Sequence, residues 1–107
     1  MNPQILNPIL ANLRQYLQNL YGNQILHLIL FGSQARQDAQ PDSDIDILIV
    51  LDRAVDPWTE NERTAAIISQ LCLDHSIVIT AVFTSSTQYK TKATALLRNI
   101  DREGIPL

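Results

Sequence analysis

The first third of the chain shows two patterns of apolar residues in succession. Between residues 3 and 21, apolar side chains recur at every third or fourth position, and Gly22 follows directly. This spacing predicts an amphipathic helix that ends at the glycine, because glycine readily adopts the left-handed conformation that often follows a helix. The run Ile25–Phe31 has no helical period and holds a single polar residue, so it predicts a strand buried on both faces.

Residues 44–51 and 76–83 predict two more strands, since both segments are rich in β-branched side chains. Gly32 and Ser33 end the first strand, and Ser33 is a suitable N-cap for a short helix over residues 35–37. A polar loop that contains a turn-forming proline then leads into the second strand.

Two longer helices complete the pattern. Thr59, with Glu62 three residues on, forms a capping box and predicts a helix that runs to about Leu73. Another helix is predicted to begin near Ser85 and to end before Gly104. The predicted inner faces carry Ala65, Ile68, Leu71 and Cys72 in the first of these helices, and Ala93, Leu96, Leu97 and Ile100 in the second.

The order of these elements predicts an α/β or α+β fold in which a small sheet packs against helices. A length of 107 residues suits a single domain spanning residues 1–107, and 46% hydrophobic residues suffice for a core. Three predicted strands make a small sheet, which leaves an edge for a partner.

Charge and composition exclude several classes of function. The net charge is −3, and six arginines and two lysines form no basic stripe, so nucleic acid is not expected as the main partner. No apolar run is long enough to span a bilayer. The N-terminus lacks the pattern of a secretory signal, and Cys72 is the single cysteine, so we expect a cytoplasmic protein without disulfides.

Two carboxylates in the second predicted strand indicate a chemical function. Asp44 and Asp46 are two residues apart in a predicted strand, so both side chains project from the same face. At roughly 4–6 Å and an effective dielectric constant of about 20, their repulsion costs about 3–4 kcal/mol. A raised pKa on one acid, a basic neighbour or a divalent cation would each relieve this repulsion. Oxygen ligands alone favour Mg²⁺ or Mn²⁺ over zinc, and such an ion also takes oxygens from a nucleoside triphosphate.

The segment before these acids suits a phosphate ligand. Gly32 would allow the backbone to approach a ligand closely, and Ser33 would open a helix whose N–H groups attract phosphate. Arg36 lies in the first turn and would reach a phosphate or the aspartates. The alternative is a simple Gly-Ser turn and two exposed acids that protect a sheet edge from aggregation.

These residues form a known motif. Residues 32–36, Gly-Ser-Gln-Ala-Arg, together with residues 43–49, Ser-Asp-Ile-Asp-Ile-Leu-Ile, closely resemble the nucleotidyltransferase superfamily that includes DNA polymerase beta. The chain's length is similar to that of the minimal nucleotidyltransferases, and residues 96–105 resemble their closing helix. The resemblance implies a polymerase-beta-like core with a small mixed sheet flanked by helices. It also implies that Gly32 and Ser33 contact the nucleotide phosphates, and that Asp44 and Asp46 are catalytic and bind Mg²⁺.

The resemblance further implies a partner and a reaction. Minimal nucleotidyltransferases are typically paired with a HEPN-domain ribonuclease toxin, so this chain is expected to be an antitoxin that transfers AMP from ATP to a tyrosine of that toxin.

The sequence departs from the superfamily pattern in one respect. Enzymes of the superfamily commonly place a third carboxylate on a later strand, whereas residues 76–83 contain no acid and Thr80 stands where the acid is expected.

Three functional hypotheses therefore remain at the level of sequence. The first is the adenylyl-transferring antitoxin, with its base absent or supplied by the partner. The second is a binding module that neutralises the toxin by contact, with a weak or purely nucleotide-binding site, which the absent third acid favours. The third is a small subunit that modifies nucleic acid, which the acidic balance disfavours.

Overall fold

Helices and strands alternate along the chain. The protein is represented by a computed structural model that describes residues 2–36 and 44–107. The elements, in chain order, are α1 (Pro3–Tyr21), a 3₁₀ turn (Gly22–Gln24), β1 (Ile25–Phe31), α2 (Ser33–Arg36), β2 (Ile45–Leu51), α3 (Pro57–His75), β3 (Ile79–Ser85), α4 (Ser86–Thr91), α5 (Ala95–Glu103) and β4 (Ile105–Pro106). The predicted loop before β2 lies outside the described residues. Within the described part of the chain, no helix combines the length and the apolarity needed to cross a membrane.

The sheet is mixed and has the strand order β3-β2-β1-β4. β1 runs antiparallel to β2 and to β4, whereas β2 and β3 are parallel and are joined through α3. The mixed α/β class expected from the sequence is confirmed. β4 was not predicted, because the two residues Ile105 and Pro106 are too few to show a period. A proline is tolerated there since β4 lies at the edge of the sheet.

The central strands bury side chains on both faces of the sheet. On one face α1 and α3 pack over Ile45, Ile47, Ile49 and Leu51, none of which is exposed to solvent. On the other face α5 contributes Leu97 and Ile100, which pack on Ile29, Leu48 and Val50. Alternation along β2 therefore places residues 46, 48 and 50 on the face that α5 covers.

The start of α3 differs from the predicted capping box. The helix begins at Pro57, and the side chain of Asp56 accepts a hydrogen bond from the backbone N–H of Trp58 at 3.2 Å. Thr59 instead donates its hydroxyl to Asp56 at 2.9 Å. Proline is well suited to the first helical position, because its missing N–H would have no partner there. The cap is therefore Asp56, and the helix begins three residues earlier than a cap at Thr59 would place it.

The buried stripe of α3 is more polar than predicted. Glu60, Thr64 and Leu71 are buried, whereas Ala65 is exposed and Ile68 and Cys72 are half-buried. Ile68, Leu71 and Cys72 therefore do lie on the inner face, as predicted. Hydrophobicity alone missed Glu60, which is buried in a network of polar partners.

Two residues with left-handed backbone end helices and change the predicted bounds. Ser76, with φ of 52°, ends α3, so β3 begins at Ile79 and not at Ser76. Lys92, also with φ of 52°, ends α4. Thr94 then caps α5, so the predicted last helix is two helices and Ala93 lies exposed between them.

Candidate active site

The two aspartates lie at the start of the central strand β2. Asp44 is exposed and immediately precedes the strand, and Asp46 is half-buried as its second residue. Ile45 between them is fully buried on the opposite face of the sheet. This alternation places both carboxylates on the same face, as the sequence predicted.

Gly32 brings the turn after β1 against Asp46. The glycine has φ of +73°, in the left-handed region that few other residues adopt. A Cβ atom built on Gly32 would collide with Oδ2 of Asp46 and would lie 3.3 Å from its Cγ. Only a residue without a side chain fits this turn while Asp46 keeps its position. Gly32 and Asp46, 14 positions apart in sequence, thus form one compact unit.

The environment of Asp46 disfavours its negative charge. Burial raises the pKa of the Asp46 carboxyl, and the neighbouring charge of Asp44 raises it further. A hydrogen bond from Thr80 and the positive charge of Arg36 act in the opposite direction but do not cancel the rise in pKa. A raised pKa, a basic neighbour and a cation were the three ways to relieve the predicted repulsion, and the first two are both present.

Ser33 and Arg36 form the ends of α2. Ser33 is the first residue of this helix and Gly32 precedes it, with the backbone N–H of Arg36 donating to the carbonyl of Gly32 at 3.1 Å. The predicted N-cap role of Ser33 was therefore wrong, because the helix begins at Ser33 itself, two residues before the predicted start at residue 35. Arg36 is exposed and also pairs with Glu103 of α5 at 3.4 Å.

Thr80 is the direct neighbour of Asp46 on β3. The parallel register pairs these two residues, and the Thr80 hydroxyl donates a hydrogen bond to the Asp46 carboxylate. The strand that carries it, Ile79–Ser85, contains no acidic residue. Thr80 therefore lies beside Asp46, and its equivalence to the superfamily's third carboxylate stays a prediction.

Sequence reasoning missed the wall that faces this site. A cleft of about 220 Å³ lies beside Gly32 and Arg36 and is closed on its far side by α5. The α5 residues that line it are Leu96, Asn99, Ile100 and Glu103. The spacing of these residues shows one helix face, but the sequence gives no sign of which face of the sheet the helix covers.

The donor set fits a hard divalent cation held jointly with a ligand. Within residues 2–36 and 44–107, no three His, Cys, Asp or Glu side chains come together as a ready-made metal cage. Asp44 and Asp46 provide carboxylate oxygens only, which suit Mg²⁺ or Mn²⁺ better than zinc. Mg²⁺ is commonly bound through one or two carboxylates, with substrate phosphates and water completing its shell.

A mixed sheet with a glycine turn against paired aspartates is the arrangement expected of a nucleotidyltransferase fold. The profile of the family described as "Nucleotidyltransferase domain" matches residues 10–104. The chain belongs to this family, and it is a nucleotidyltransferase.

Relatives and solved structures agree with this assignment. Two proteins of Methanocaldococcus jannaschii, each named "Putative protein adenylyltransferase", are similar in sequence. One is 35% identical over 89 residues, which cover 82% of this chain and 83% of the relative. The other is 25% identical over 97 residues, which cover 91% of this chain and 93% of the relative. A crystal structure described as a toxin–antitoxin with AMP-PNP has the same fold, with a TM-score of 0.62 and 19% identity over 89% of this chain and 69% of that one.

Proposed function

We propose that this chain is a Mg²⁺-dependent protein adenylyltransferase that acts as an antitoxin. It transfers AMP from ATP to a tyrosine hydroxyl of a partner HEPN-domain ribonuclease toxin. Asp44 and Asp46 are the catalytic and metal-binding residues, and Gly32, Ser33 and Arg36 bind the nucleotide. Residues 1–107 form a single domain, since both hydrophobic clusters lie on one sheet.

The observation that carries the proposal is the contact between Gly32 and Asp46. It places the backbone of a turn and a helix N-terminus beside a carboxylate that needs a counter-charge. Phosphate would bind the turn and the helix N-terminus, and a divalent cation would bind the carboxylate. A nucleoside triphosphate bound with its metal supplies the phosphate and the cation together. The names of the Methanocaldococcus relatives support a protein acceptor. The toxin–antitoxin with AMP-PNP supports ATP and a toxin partner.

In the reaction, the acceptor hydroxyl oxygen forms a bond to the α-phosphorus of ATP while the bond from that phosphorus to the bridging oxygen breaks. Pyrophosphate leaves, and the hydroxyl proton passes to a base or to water. The bound cation supplies charge stabilisation for the phosphoryl oxygens. Arg36 adds positive charge at the phosphates, and Ser33 and Gly32 orient them through the backbone, so positioning and electrostatics provide most of the rate.

A second function is favoured by one specific observation. Thr80 stands beside Asp46 in the register of β3 with β2, and β3 contains no acid that could act as a general base there. A protein with this site would bind nucleotide and neutralise its partner by contact. In that case neutralisation would not require transfer.

The two functions are separated by following label from α-labelled ATP onto the purified HEPN partner in the presence of Mg²⁺. Asp46→Asn and Asp44→Asn each remove one carboxylate charge. Asp52→Asn is the matched control, because Asp52 is an exposed acid just after the same strand. We expect transfer to fall at least about 100-fold in the two site variants, the scale of losing one preorganised electrostatic contact, and to persist in the control.

Two outcomes would contradict the enzymatic proposal. Equal labelling by the wild type and both site variants would exclude the aspartates as the catalytic pair. Absence of label in the wild type, with a stable complex still formed, would favour neutralisation by binding.

A further inference from the structure

The two edges of the sheet differ in their protection against pairing with another strand. β4 forms one edge and has two residues, of which Pro106 has no N–H to donate. The part of β1 that β4 leaves uncovered has an irregular register between Ile25 and His27, and such bulges also discourage pairing. β3 forms the other edge with seven residues, Ile79–Ser85, which include no proline and no charged residue. A long edge strand without these features is a template for the backbone of another chain.

The backbone of β3 presents hydrogen-bonding groups on the side away from β2. Ile45 donates its N–H to the carbonyl of Val78 at 2.9 Å, so Val78 and every second residue after it direct their backbone groups toward β2. Ile79 and Ala81 direct theirs outward, and the Ile79 N–H accordingly donates to Sγ of Cys72 at 3.4 Å. The carbonyl of Ile79 and both backbone groups of Ala81 form no hydrogen bond with any residue that the structure describes. These three groups can pair with the backbone of an added strand.

The unpaired part of this edge lies beside the candidate active site. Alternation along the strand places Val78 and Thr80 on the face that carries Asp46, and Thr80 pairs with Asp46 in register. Neighbouring strands are about 4.8 Å apart, so a strand added to β3 would lie about 10 Å from the backbone of Asp46. A residue of that strand opposite Thr80 would project from the same face. A long side chain that ends in a hydroxyl, such as tyrosine, would then lie within reach of a phosphate held at Asp46.

Val78 adds an apolar contact at this edge. Its side chain is exposed, whereas the next residue, Ile79, is buried in the core. Exposed on the site face, Val78 would be covered by a side chain of an added strand. An uncharged strand with an exposed valine suits an uncharged segment better than a charged one, because a charge placed there would lose hydration without gaining a partner.

The size of the edge decides between a permanent partner and a substrate. A stable interface engages about 20–30 residues on each side, whereas the unpaired edge comprises residues 78–81. A second copy of this chain, held by this edge alone, would bind too weakly for a stable dimer. A protein segment that binds for one reaction and then leaves requires no larger contact.

We infer that the outer edge of β3 at residues 78–81 docks the acceptor protein, whose segment around the acceptor hydroxyl adds to the sheet as an extended strand. This inference rests on the proposed function, since it assigns how the protein substrate of the transfer is held. It makes Val78 and Ala81 determinants of acceptor binding and not of nucleotide binding.

The test measures transfer of label from α-labelled ATP to the purified HEPN partner, at varied partner concentrations in Mg²⁺. Ala81→Pro removes the outward N–H and keeps the pairing of β3 with β2, and Ala81→Ser is the matched control because it retains this N–H. We expect Ala81→Pro to raise the KM for the partner about fivefold or more, the scale of one lost hydrogen bond. Ala81→Ser should keep the wild-type KM, and the affinity for ATP, measured by calorimetry, should be unchanged in both variants.

Two further measurements keep the test valid if the proline disturbs the strand. Val78→Ser removes an apolar side chain that is 55% exposed, and Ile5→Ser on α1 is its matched control, because Ile5 is 54% exposed. We expect Val78→Ser to raise the KM about two- to fivefold, the scale of partly burying one valine, and Ile5→Ser to leave it unchanged. In the wild type, hydrogen exchange of the Ala81 amide should slow when the partner binds, because its N–H enters a hydrogen bond.

The outcomes separate this inference from the proposed function. A wild type that neither binds ATP nor labels the partner would exclude the proposed function and the inference that rests on it. A wild type that labels the partner, with an unchanged KM in Ala81→Pro and Val78→Ser, would overturn the docking edge alone. Unchanged exchange of the Ala81 amide in the complex would also overturn it. So would a dimer of this chain that dissociates in Ala81→Pro, since a second copy would then occupy the edge.

Discussion

Thr80 donates its hydroxyl to the Asp46 carboxylate, and the two residues pair directly in the parallel register of β3 and β2. Residues in register on parallel strands project from the same face. An acid at position 80 would therefore stand beside Asp46 on the same face of the sheet.

Replacing Thr80 by aspartate should supply the absent general base. We expect Thr80→Asp to raise the rate of AMP transfer at least about tenfold, less than the roughly 10²–10⁴-fold that a well-positioned general base contributes. A third adjacent carboxylate also increases charge repulsion, so the melting temperature should fall without Mg²⁺ and recover more on Mg²⁺ addition than in the wild type. Transfer rates and thermal melts with and without Mg²⁺ check both effects.

Thr80→Asn is the control, since it changes the side chain without adding charge. Unchanged transfer in Thr80→Asp, together with the expected Mg²⁺-dependent melting shift, would indicate that the base comes from elsewhere, such as the partner.

The sequence predicted the elements that carry the site better than it predicted the site's surroundings. α1 and β1 have the bounds that the sequence predicted. Each is a long run with one hydrophobic pattern followed by a glycine, so the local sequence is compatible with only one type of secondary structure. The pairing of Asp44 and Asp46 on one face followed from strand alternation. In contrast, the collision that requires Gly32 depends on the register of β1 with β2, which no local pattern specifies.

Long-range contacts also explain the remaining differences. After α5 the chain returns along β1 as β4, and an added Cβ at Gly104 would meet a side-chain atom of Ile29. Glu60 is buried because Tyr21 and Arg53 come from other elements to pair with it. A single-sequence pattern treats such a glutamate as a surface residue.

Gly32→Ala should remove nucleotide binding. A methyl group at this position meets the Asp46 carboxylate, and φ of +73° strains any residue with a Cβ. We expect the free energy of unfolding to fall by about 1–3 kcal/mol and ATP binding to be lost, as measured by urea unfolding and calorimetry.

Gly22→Ala is the matched control for backbone strain. Gly22 has φ of +58°, but nothing lies within 4 Å of its added Cβ. This variant should lose about 1–2 kcal/mol of stability and bind ATP normally. Equal loss of binding in both variants would show that strain, and not the contact with Asp46, accounts for the effect.

The ion pair between Arg36 and Glu103 should compete with phosphate. Their side chains are 3.4 Å apart and both are almost half exposed, so the pair itself contributes little to stability. Removing the Glu103 charge takes away one negative partner of Arg36 and so strengthens the attraction of Arg36 for phosphate. We expect Glu103→Gln to bind inorganic tripolyphosphate about two- to fivefold more tightly at low salt, and Arg36→Gln to bind it several-fold more weakly. Tighter binding that persists at 1 M salt would contradict an electrostatic cause.

A buried polar network should make stability depend on pH. Tyr21 donates to Glu60 at 2.7 Å, and Arg53 donates to its other oxygen at 2.9 Å. Burial alone would raise the pKa of Glu60, but the hydrogen bonds from Arg53 and Tyr21 and the charges of Arg53 and Arg63 lower it overall. The folded protein therefore favours the ionised form more strongly than the unfolded chain does.

The stabilisation from Glu60 is thus fully present above the usual pKa of a glutamate, 4.5, and is lost as the pH falls through the lower pKa of the folded state. We expect Glu60→Gln to lose about 3–5 kcal/mol at pH 7, because it leaves Arg53 without its buried counter-charge. Urea unfolding between pH 7 and pH 3 should show a steeper loss of stability in the wild type than in Glu60→Gln. Glu62→Gln, at an exposed position on the same helix, is the control and should keep the wild-type slope. Parallel pH profiles for the wild type and Glu60→Gln would show that other carboxylates cause the acid sensitivity.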